Sequence, residues 1–373
     1  MIKAAISGTG LYTPSESISN EELVECFNTY VQTFNKEHAE QIEKGELDAL
    51  QESSAAFIEK ASGIKSRYVM NKSGILDPEV MHPLLPERSN DEPSILCEMA
   101  VAAAKDALKN ANRSVEDIDA VIVACSNLQR AYPAVSIEVQ HYLGVEGFAY
   151  DMNVACSSAT FGLQAALNAV QSGSAKAVLL INPEICTAHL NFRDRDSHFI
   201  FGDVCTAVVV ERQDNLATDD YFEVLSAKLM TKFSNNIRNN FGFLNRTAPG
   251  SESDADKLFV QQGRKVFKEV SPLVANMISD HLKENSLSAQ DLKQLWLHQA
   301  NLSMNQLIAK RVLGRPAETH EAPVILDEYA NTSSAGSIIA FHKHRQSLNA
   351  GDIGVICSFG AGYSVGNIIL KKQ

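Results

Sequence analysis

Long hydrophobic runs are missing from this 373-residue chain. No stretch approaches the roughly 20 consecutive apolar residues that span a bilayer. The opening MIKAAISGTGLYTP lacks the long apolar core and small-residue cleavage site of a secretory signal. The expectation is a cytoplasmic protein that does not enter a membrane. Cysteine pairs are missing too. The seven cysteines (26, 97, 125, 156, 186, 205 and 357) are odd in number, scattered and free of CxxC spacing. That argues against a disulfide framework and against a zinc cluster, and leaves most of them as small buried hydrophobes. There is no basic surplus: 33 Lys and Arg stand against 45 Asp and Glu, a net charge of −12. Nucleic acid, whose phosphates need a basic face, is therefore disfavoured, and any acidic partner would need a local cationic patch. With no low-complexity tract and 45% hydrophobic residues, the chain is a soluble globular protein of about two domains, able to bury a large core.

What is present repeats itself. SVEDIDAVIVACSN (114–127) lies on SAQDLKQLWLHQAN (288–301), with Ser, Asp and Asn coinciding. DMNVACSSAT (151–160) lies on DEYANTSSAG (327–336) at nearly the same offset, with Asp, Ser, Ser and Ala coinciding. The register continues through the strand-like AKAVLLI (175–181) and GDIGVIC (351–357). A period of about 175 residues is too long for a solenoid and points to two fused copies of one α/β unit. Short β-branched runs alternate with helical patterns such as 94–111 and 266–285, which predicts βαβ units and a largely parallel sheet. The boundary falls near 212, with an N-terminal half at 1–212 and a C-terminal half at 213–373. Two segments lie outside the repeat: a polar, helix-prone stretch at 28–54 and a Pro-rich stretch at 71–94. They read either as surface decoration or as a wall or lid over a substrate tunnel.

Four places carry candidate chemistry. Cys156 sits where a strand should end and the helix SSATFGLQAALNAVQSG should begin. A helix N-terminus offers free N–H groups and partial positive charge, which favours the nucleophilic thiolate; the alternative is a small packing residue. HQAN, His298 to Asn301, follows the strand-like QLWL, where α/β proteins place ligands; the alternative is a capped turn. Asn331, in ANTSSAGS, stands one residue before the repeat's counterpart of Cys156, and reads equally as an Asn in a tight turn. The Gly-rich SFGAGYSVG (358–366) is either a hairpin turn or a loop whose N–H groups face a developing oxyanion. Residue chemistry alone supports a cysteine-dependent acyl-transfer enzyme.

Together, ISGTGLYTP, ASGIKSRY, ACSSATFGLQAA, FGD at 201–203, HQAN, NTSSA and SFGAGYSVG resemble the β-ketoacyl-acyl-carrier-protein synthase III family. The resemblance covers nearly the whole chain apart from the two insertions. It implies an α/β thiolase-like fold, a duplicated βαβαβαββ unit in a layered α-β-α-β-α arrangement. It also implies a Cys156, His298 and Asn331 triad, with backbone N–H groups of Cys156 and Ala361 as the oxyanion hole. The family usually has glycine where Ala361 stands; only the N–H is used there, which suits any residue whose φ is negative. A Cys–His–Asn set belongs to the decarboxylating, chain-initiating type. The implied reaction takes an acyl group from acyl-CoA onto Cys156 and condenses it with malonyl-acyl carrier protein as CO2 leaves, in fatty acid biosynthesis, with no cofactor and no metal required.

The substrate contacts carried over by the resemblance are mixed. The carrier-protein docking positions match at Lys268, Lys310 and Arg311, while a further family arginine is replaced by Ser303. For CoA, Phe57 stands where the family commonly has a tryptophan; a nearby arginine becomes Ala61, with Lys60, Lys65 and Arg67 close by. Tyr132, in RAYPAVS, matches a residue that lines the acyl pocket from across a dimer interface, which implies a homodimer. These departures and the insertions point to a medium-chain primer, around octanoyl-CoA. Two other functions remain distinct from this one: an acyltransferase on the same fold that passes the acyl group on without decarboxylation, and a non-catalytic acyl-binding protein, which would have no need of all three triad residues.

Overall fold

Nine of the apolar runs become one mixed sheet in the computed structural model, which describes residues 2–247 and 255–373. In chain order its strands are β1 (Ala4–Tyr12), β2 (Ala120–Ala124), β3 (Phe148–Met152), β4 (Ala177–Ile185), β5 (Asp203–Arg212), β6 (Phe222–Ser234), β7 (Leu292–Leu297), β8 (Ile353–Gly360) and β9 (Gly362–Lys372). They lie side by side as β7-β8-β9-β6-β1-β5-β4-β2-β3. The main helices are α1 (Asn20–Glu37), α2 (Ala55–Ser62), α3 (Ile95–Asn110), α4 (Val135–Leu143), α5 (Ser158–Ser172), α6 (Gly263–Glu284), α7 (Leu302–Leu313) and α8 (Gly336–His344).

The duplication is visible in the pairing. Outward from the centre, β1-β5-β4-β2 on one side and β6-β9-β8-β7 on the other each run antiparallel, antiparallel, parallel. β1 and β6 join the halves through an antiparallel contact at Ala5 and Ile6. The expectation of a largely parallel sheet is corrected here: parallel pairing is confined to β2–β3, β2–β4 and β7–β8. A βαβ crossover can only join parallel neighbours. In this chain hairpin-like returns bring β5 and β9 back antiparallel through the middle.

Three packed cores define the layers. Ala120, Ile122 and Ala124 of β2 face a shared core with α5 and α8, while Val121 and Val123 face a second core with α3 and α4. The C-terminal half repeats this: Trp296 and Ile356 join the shared core, and Leu295, Leu297 and Val355 face a third core with α6 and α7. The order is therefore α3/α4, the N-terminal half of the sheet, α5/α8, the C-terminal half of the sheet, α6/α7. Strands covered on both faces explain the unbroken apolar runs. Serine and asparagine caps start the helices where they do: Ser54, Ser94 and Asn301 accept from Phe57 N, Cys97 N and Met304 N.

The 28–54 insertion includes the second half of α1, which starts earlier, at a Ser19 capping box. The α1 side chains Leu23, Cys26, Phe27 and Val31 pack in a fourth core against Ile58, Ile64, Phe199 and Phe201. The Pro-rich insertion sends Met81 into the same core, and its Glu79 carbonyl accepts from Arg193 Nη2 at 2.8 Å. Among the described residues no helix is long and apolar enough to cross a membrane.

Candidate active site

The nucleophile candidate is presented by a turn built in three steps. After β3 ends, Asn153 Oδ1 accepts from Ala155 N at 2.8 Å. Ala155 takes a left-handed φ of 45°, a conformation that costs a residue with a Cβ on the order of 1 kcal/mol. Cys156 follows within a single 3-10 turn, Ala155–Ser157, and α5 begins at Ser158. The second half builds the same turn: Asn331 Oδ1 accepts from Ser333 N at 2.9 Å, Ser333 has φ 50°, a 3-10 turn spans Ser333–Ala335, and α8 begins at Gly336. Asn331 is thus the counterpart of Asn153, and Ser334 that of Cys156. This corrects the sequence register, which set Asn331 one place before the cysteine's counterpart; the intervening loops differ by two residues.

Each Asn side chain is oriented by that turn. A backbone N–H can be met only by the amide oxygen, so Asn331 keeps Oδ1 on Ser333 and its Nδ2 donors have no protein partner among the described residues. Its main chain is held on both sides, with Asn331 N donating to Ile200 O at 2.9 Å and Gly202 N donating to Asn331 O at 3.1 Å.

His298 follows the last residue of β7 and donates its N–H to Cys357 O at 2.8 Å. Its ring stands edge-on to Phe359, centroids 5.3 Å apart, and Nδ1 has no partner among the described residues. Burial pushes its pKa down to about 4, the Ser333 carbonyl acting weakly the other way, so the imidazole is neutral at neutral pH. Cys156 is pushed up to about 11 by desolvation. Ser333 Oγ, 3.5 Å from Sγ, and the backbone N–H groups of Ala361 and Cys156 favour the thiolate without overcoming that cost. The expectation of a helix-stabilised thiolate is corrected: Cys156 precedes the first turn of α5, and the pair rests as thiol and neutral imidazole.

The Gly-rich segment takes the first of its two readings. It is the β8–β9 hairpin turn, and its Ala361 N–H lies where it can donate to Cys156 Sγ. Ala361 is not among the residues with positive φ, so its methyl group is tolerated. Gly360 has no such latitude, for a Cβ there would stand 2.5 Å from Cys156 Cβ and 2.9 Å from Sγ.

Cys156, His298 and Asn331 line one cavity of about 530 Å³, walled by apolar side chains such as Phe199, Ile200, Phe259, Phe267 and Met304. Phe57 and Ala61 lie on the same wall. Neither insertion lines it; both pack behind the Phe199–Phe201 segment. Arg67 departs from the expected CoA contact. It is 1% exposed, and its guanidinium donates to Ile18 O, Asn20 Oδ1 and Phe199 O. It braces the wall from within. Lys268 is exposed at the cavity, and Lys310 and Arg311 are exposed in the last turn of α7. Tyr132 is 85% exposed and does not line the cavity of its own chain.

Three residues were not singled out from sequence. Ser333 touches Cys156. Arg195 lays its guanidinium 4.2 Å over the Phe57 ring. Arg264 lines the cavity at the start of α6. Only Arg264 left a legible mark, since Arg264, Lys265 and Lys268 put positive charge at a helix N-terminus with no acidic residue in the first turn, against the preference of the helix dipole.

Comparison with known proteins identifies the family. Residues 150–232 match the family model of 3-oxoacyl-[acyl-carrier-protein] synthase III, and residues 282–372 match its C-terminal model. A beta-ketodecanoyl-[acyl-carrier-protein] synthase of Pseudomonas aeruginosa is 67% identical over 94% of this chain and all of its own. A beta-ketoacyl-[acyl-carrier-protein] synthase III of Granulibacter bethesdensis is 28% identical over the whole of both chains. Among solved structures, the synthase III of Aquifex aeolicus superposes with a TM-score of 0.76, at 24% identity and 99% coverage of each chain, which speaks to the fold. The chain belongs to the 3-oxoacyl-[acyl-carrier-protein] synthase III family, condensing acyltransferases with a thiolase-like fold.

Proposed function

We propose that this enzyme condenses a medium-chain acyl-CoA, around octanoyl, with malonyl-acyl carrier protein, using Cys156 as acyl carrier and His298 and Asn331 as hydrogen-bond donors. The observation that carries this is the convergence of a thiol, a neutral imidazole and an outward-turned amide on one apolar cavity. The chain length is supported by the name of the 67% identical relative, a beta-ketodecanoyl synthase, since a ketodecanoyl group is an eight-carbon acyl group extended by two.

The chemistry follows from the resting protonation states. Cys156 Sγ attacks the acyl-CoA carbonyl, His298 accepts the thiol proton, and the CoA thiolate leaves and takes that proton. A new carbon–sulfur bond to Cys156 replaces the one to CoA. Malonyl thioester then loses CO2, and the electron pair of the broken carbon–carbon bond moves onto the thioester oxygen as an enolate. Neutral His298 and the free Nδ2 of Asn331 donate to that oxygen, stabilising charge as it develops. The enolate carbon attacks the acyl-Cys156 carbonyl, whose oxyanion is met by the N–H groups of Cys156 and Ala361. Collapse expels the Cys156 thiolate, which takes a proton from solvent. Arg264, Lys265 and Lys268 near the N-terminus of α6 supply the positive charge that the phosphate of a pantetheine arm calls for, and Lys310 and Arg311 in the last turn of α7 are further docking positions for an acidic carrier.

The assembly belongs to the same reading. Among the described residues β3 is an edge strand paired only with β2, and Tyr132, Ile137, Tyr142, Phe148 and Tyr150 are exposed on or near it. A homodimer that joins two β3 edges would cover this apolar strip and carry Tyr132 into the partner's site.

The test is intact-mass analysis after exposure to acetyl-, butyryl-, hexanoyl-, octanoyl- and decanoyl-CoA, followed by malonyl-carrier protein with CO2 measured. The expected result is strongest labelling by octanoyl-CoA, none in Cys156→Ala, and CO2 released with ketoacyl product. Acetyl labelling that greatly exceeds octanoyl would overturn the primer, and acyl transfer without CO2 would overturn the condensation.

A further inference from the structure

One buried carboxyl takes no part in the chemistry above and yet touches both catalytic corners. Glu184 lies on β4, 1% exposed, and does not line the cavity. Its Oε1 accepts from Ser126 N at 3.0 Å and Ser334 N at 3.2 Å, and also from Ser334 Oγ. Its Oε2 accepts from Ser126 Oγ at 2.5 Å, with Cys186 Sγ at 3.8 Å. Two serines, one from each half, thus each give this carboxyl both a backbone N–H and a hydroxyl. No Lys, Arg or His forms an ion pair with it among the described residues; the neighbours that sense its charge are the thiols of Cys125, Cys156, Cys186 and Cys205.

Each serine leads to a catalytic residue. Ser126 O accepts from Asn153 Nδ2 at 2.8 Å, and Asn153 Oδ1 holds the turn that ends on Cys156. Ser334 stands in the matching turn, three residues past Asn331, whose Oδ1 holds Ser333 N. We propose that Glu184 is a positioning residue: its carboxyl fastens the Asn331 turn of the C-terminal half to the Cys156 turn of the N-terminal half, so that both donors and nucleophile keep one geometry. This rests on the reading of Asn331 as an enolate donor. Each turn also has anchors besides the clamp: Asn331 is held through its main chain by Ile200 O and Gly202 N. The Cys156 turn has a separate anchor, Ser158 Oγ, which accepts from Val154 N at 2.8 Å and donates to Cys125 O at 3.3 Å. Among the described residues the Ser334 hydroxyl has, besides Glu184, only a 3.5 Å contact to Ala124 O.

A buried carboxyl is costly unless its acceptors are filled, and here burial raises Glu184 to about 7 while the four serine donors pull it back. The carboxyl ties the Asn331 turn to Ser126, whose carbonyl holds Asn153, and so reinforces the direct Ser333 Oγ contact to Cys156 Sγ at 3.5 Å; a misplacement of about 1 Å in a donor can cost on the order of a hundredfold in rate.

The experiment compares wild type with Glu184→Ala, Glu184→Gln and Ser334→Ala in two partial reactions: acylation of Cys156 by octanoyl-CoA, and CO2 release from malonyl-carrier protein. In Glu184→Ala, CO2 release is expected to fall at least about tenfold in kcat with KM little changed, while acylation stays within about threefold. Glu184→Gln keeps an oxygen for both backbone N–H groups and should restore most of the CO2 release. Ser334→Ala leaves the carboxyl in place and should show the same selective loss, which keeps the test decisive if Glu184→Ala does not fold. Equal losses in both partial reactions, or CO2 release unchanged in Ser334→Ala, would overturn the proposal. A wild type that is acylated but releases no CO2 overturns the condensation reading, and the role of Glu184 with it.

Discussion

Gly360 lies against Cys156 so closely that a Cβ on the glycine would stand 2.5 Å from that of the cysteine. The hairpin that ends the chain therefore sets the floor under the nucleophile, more than 200 residues away in sequence. Backbone approach of this kind admits only glycine, and the neighbouring N–H of Ala361 is brought to the sulfur by the same contact.

Gly360→Ala follows directly. Its methyl must displace either the hairpin or the Cys156 side chain, and a shift of about 1 Å at a reacting atom costs on the order of a hundredfold. Acylation of Cys156, read by intact mass over time, should slow by about that factor, while the circular dichroism spectrum stays unchanged. Acylation at the wild-type rate would show that the hairpin yields instead.

Asn331→Asp separates orientation from donation. The carboxylate keeps an oxygen for Ser333 N–H but has no hydrogen to give at the Nδ2 position. CO2 release should fall by roughly a hundredfold to a thousandfold, the usual cost of one lost oxyanion donor, with Cys156 acylation much less affected. Wild-type CO2 release would remove Asn331 from the donor role.

The protonation states predict a pH profile. The Cys156 thiol is raised to about 11, so below that value the thiolate fraction, and with it alkylation by iodoacetamide, should climb about tenfold per pH unit from 7 to 9 without a plateau. His298 is held near 4 and stays neutral throughout, so CO2 release should show no inflection near 6.5. A plateau in alkylation at neutral pH would mean a preformed thiolate and refute the resting pair described above.

Arg67→Met tests the corrected role. It leaves Ile18 O, Asn20 Oδ1 and Phe199 O without their buried donor, a loss on the order of 3 kcal/mol. The denaturant midpoint should drop accordingly, while the concentration of acyl-CoA giving half-maximal acylation of the folded fraction is unchanged. A weakened dependence on acyl-CoA with undiminished stability would return Arg67 to the substrate.

Much of the molecule could be read from local sequence. Helices at 94–111 and 266–285, the strand before HQAN and the turn at Cys156 all follow from periodicity and capping among residues a few places apart. These are short-range effects, and each segment carries its own. Cys156, His298 and Asn331 stood out as candidates in short polar motifs and were grouped by the family resemblance; the fold brings them to one cavity. What tertiary structure alone decided depends on residues far apart in the chain. The antiparallel centre exists because β5 and β9 return beside β1 and β6, a choice no single strand encodes. Arg67 reads as a surface cation until Ile18, Asn20 and Phe199 enclose it. The thiol is acidified by its turn and made weaker by its surroundings, and burial wins because desolvation is set by every atom packed around the sulfur. Glu184 is one apolar-strand carboxylate among 45 acidic residues until the fold brings Ser126 and Ser334 to its two oxygens.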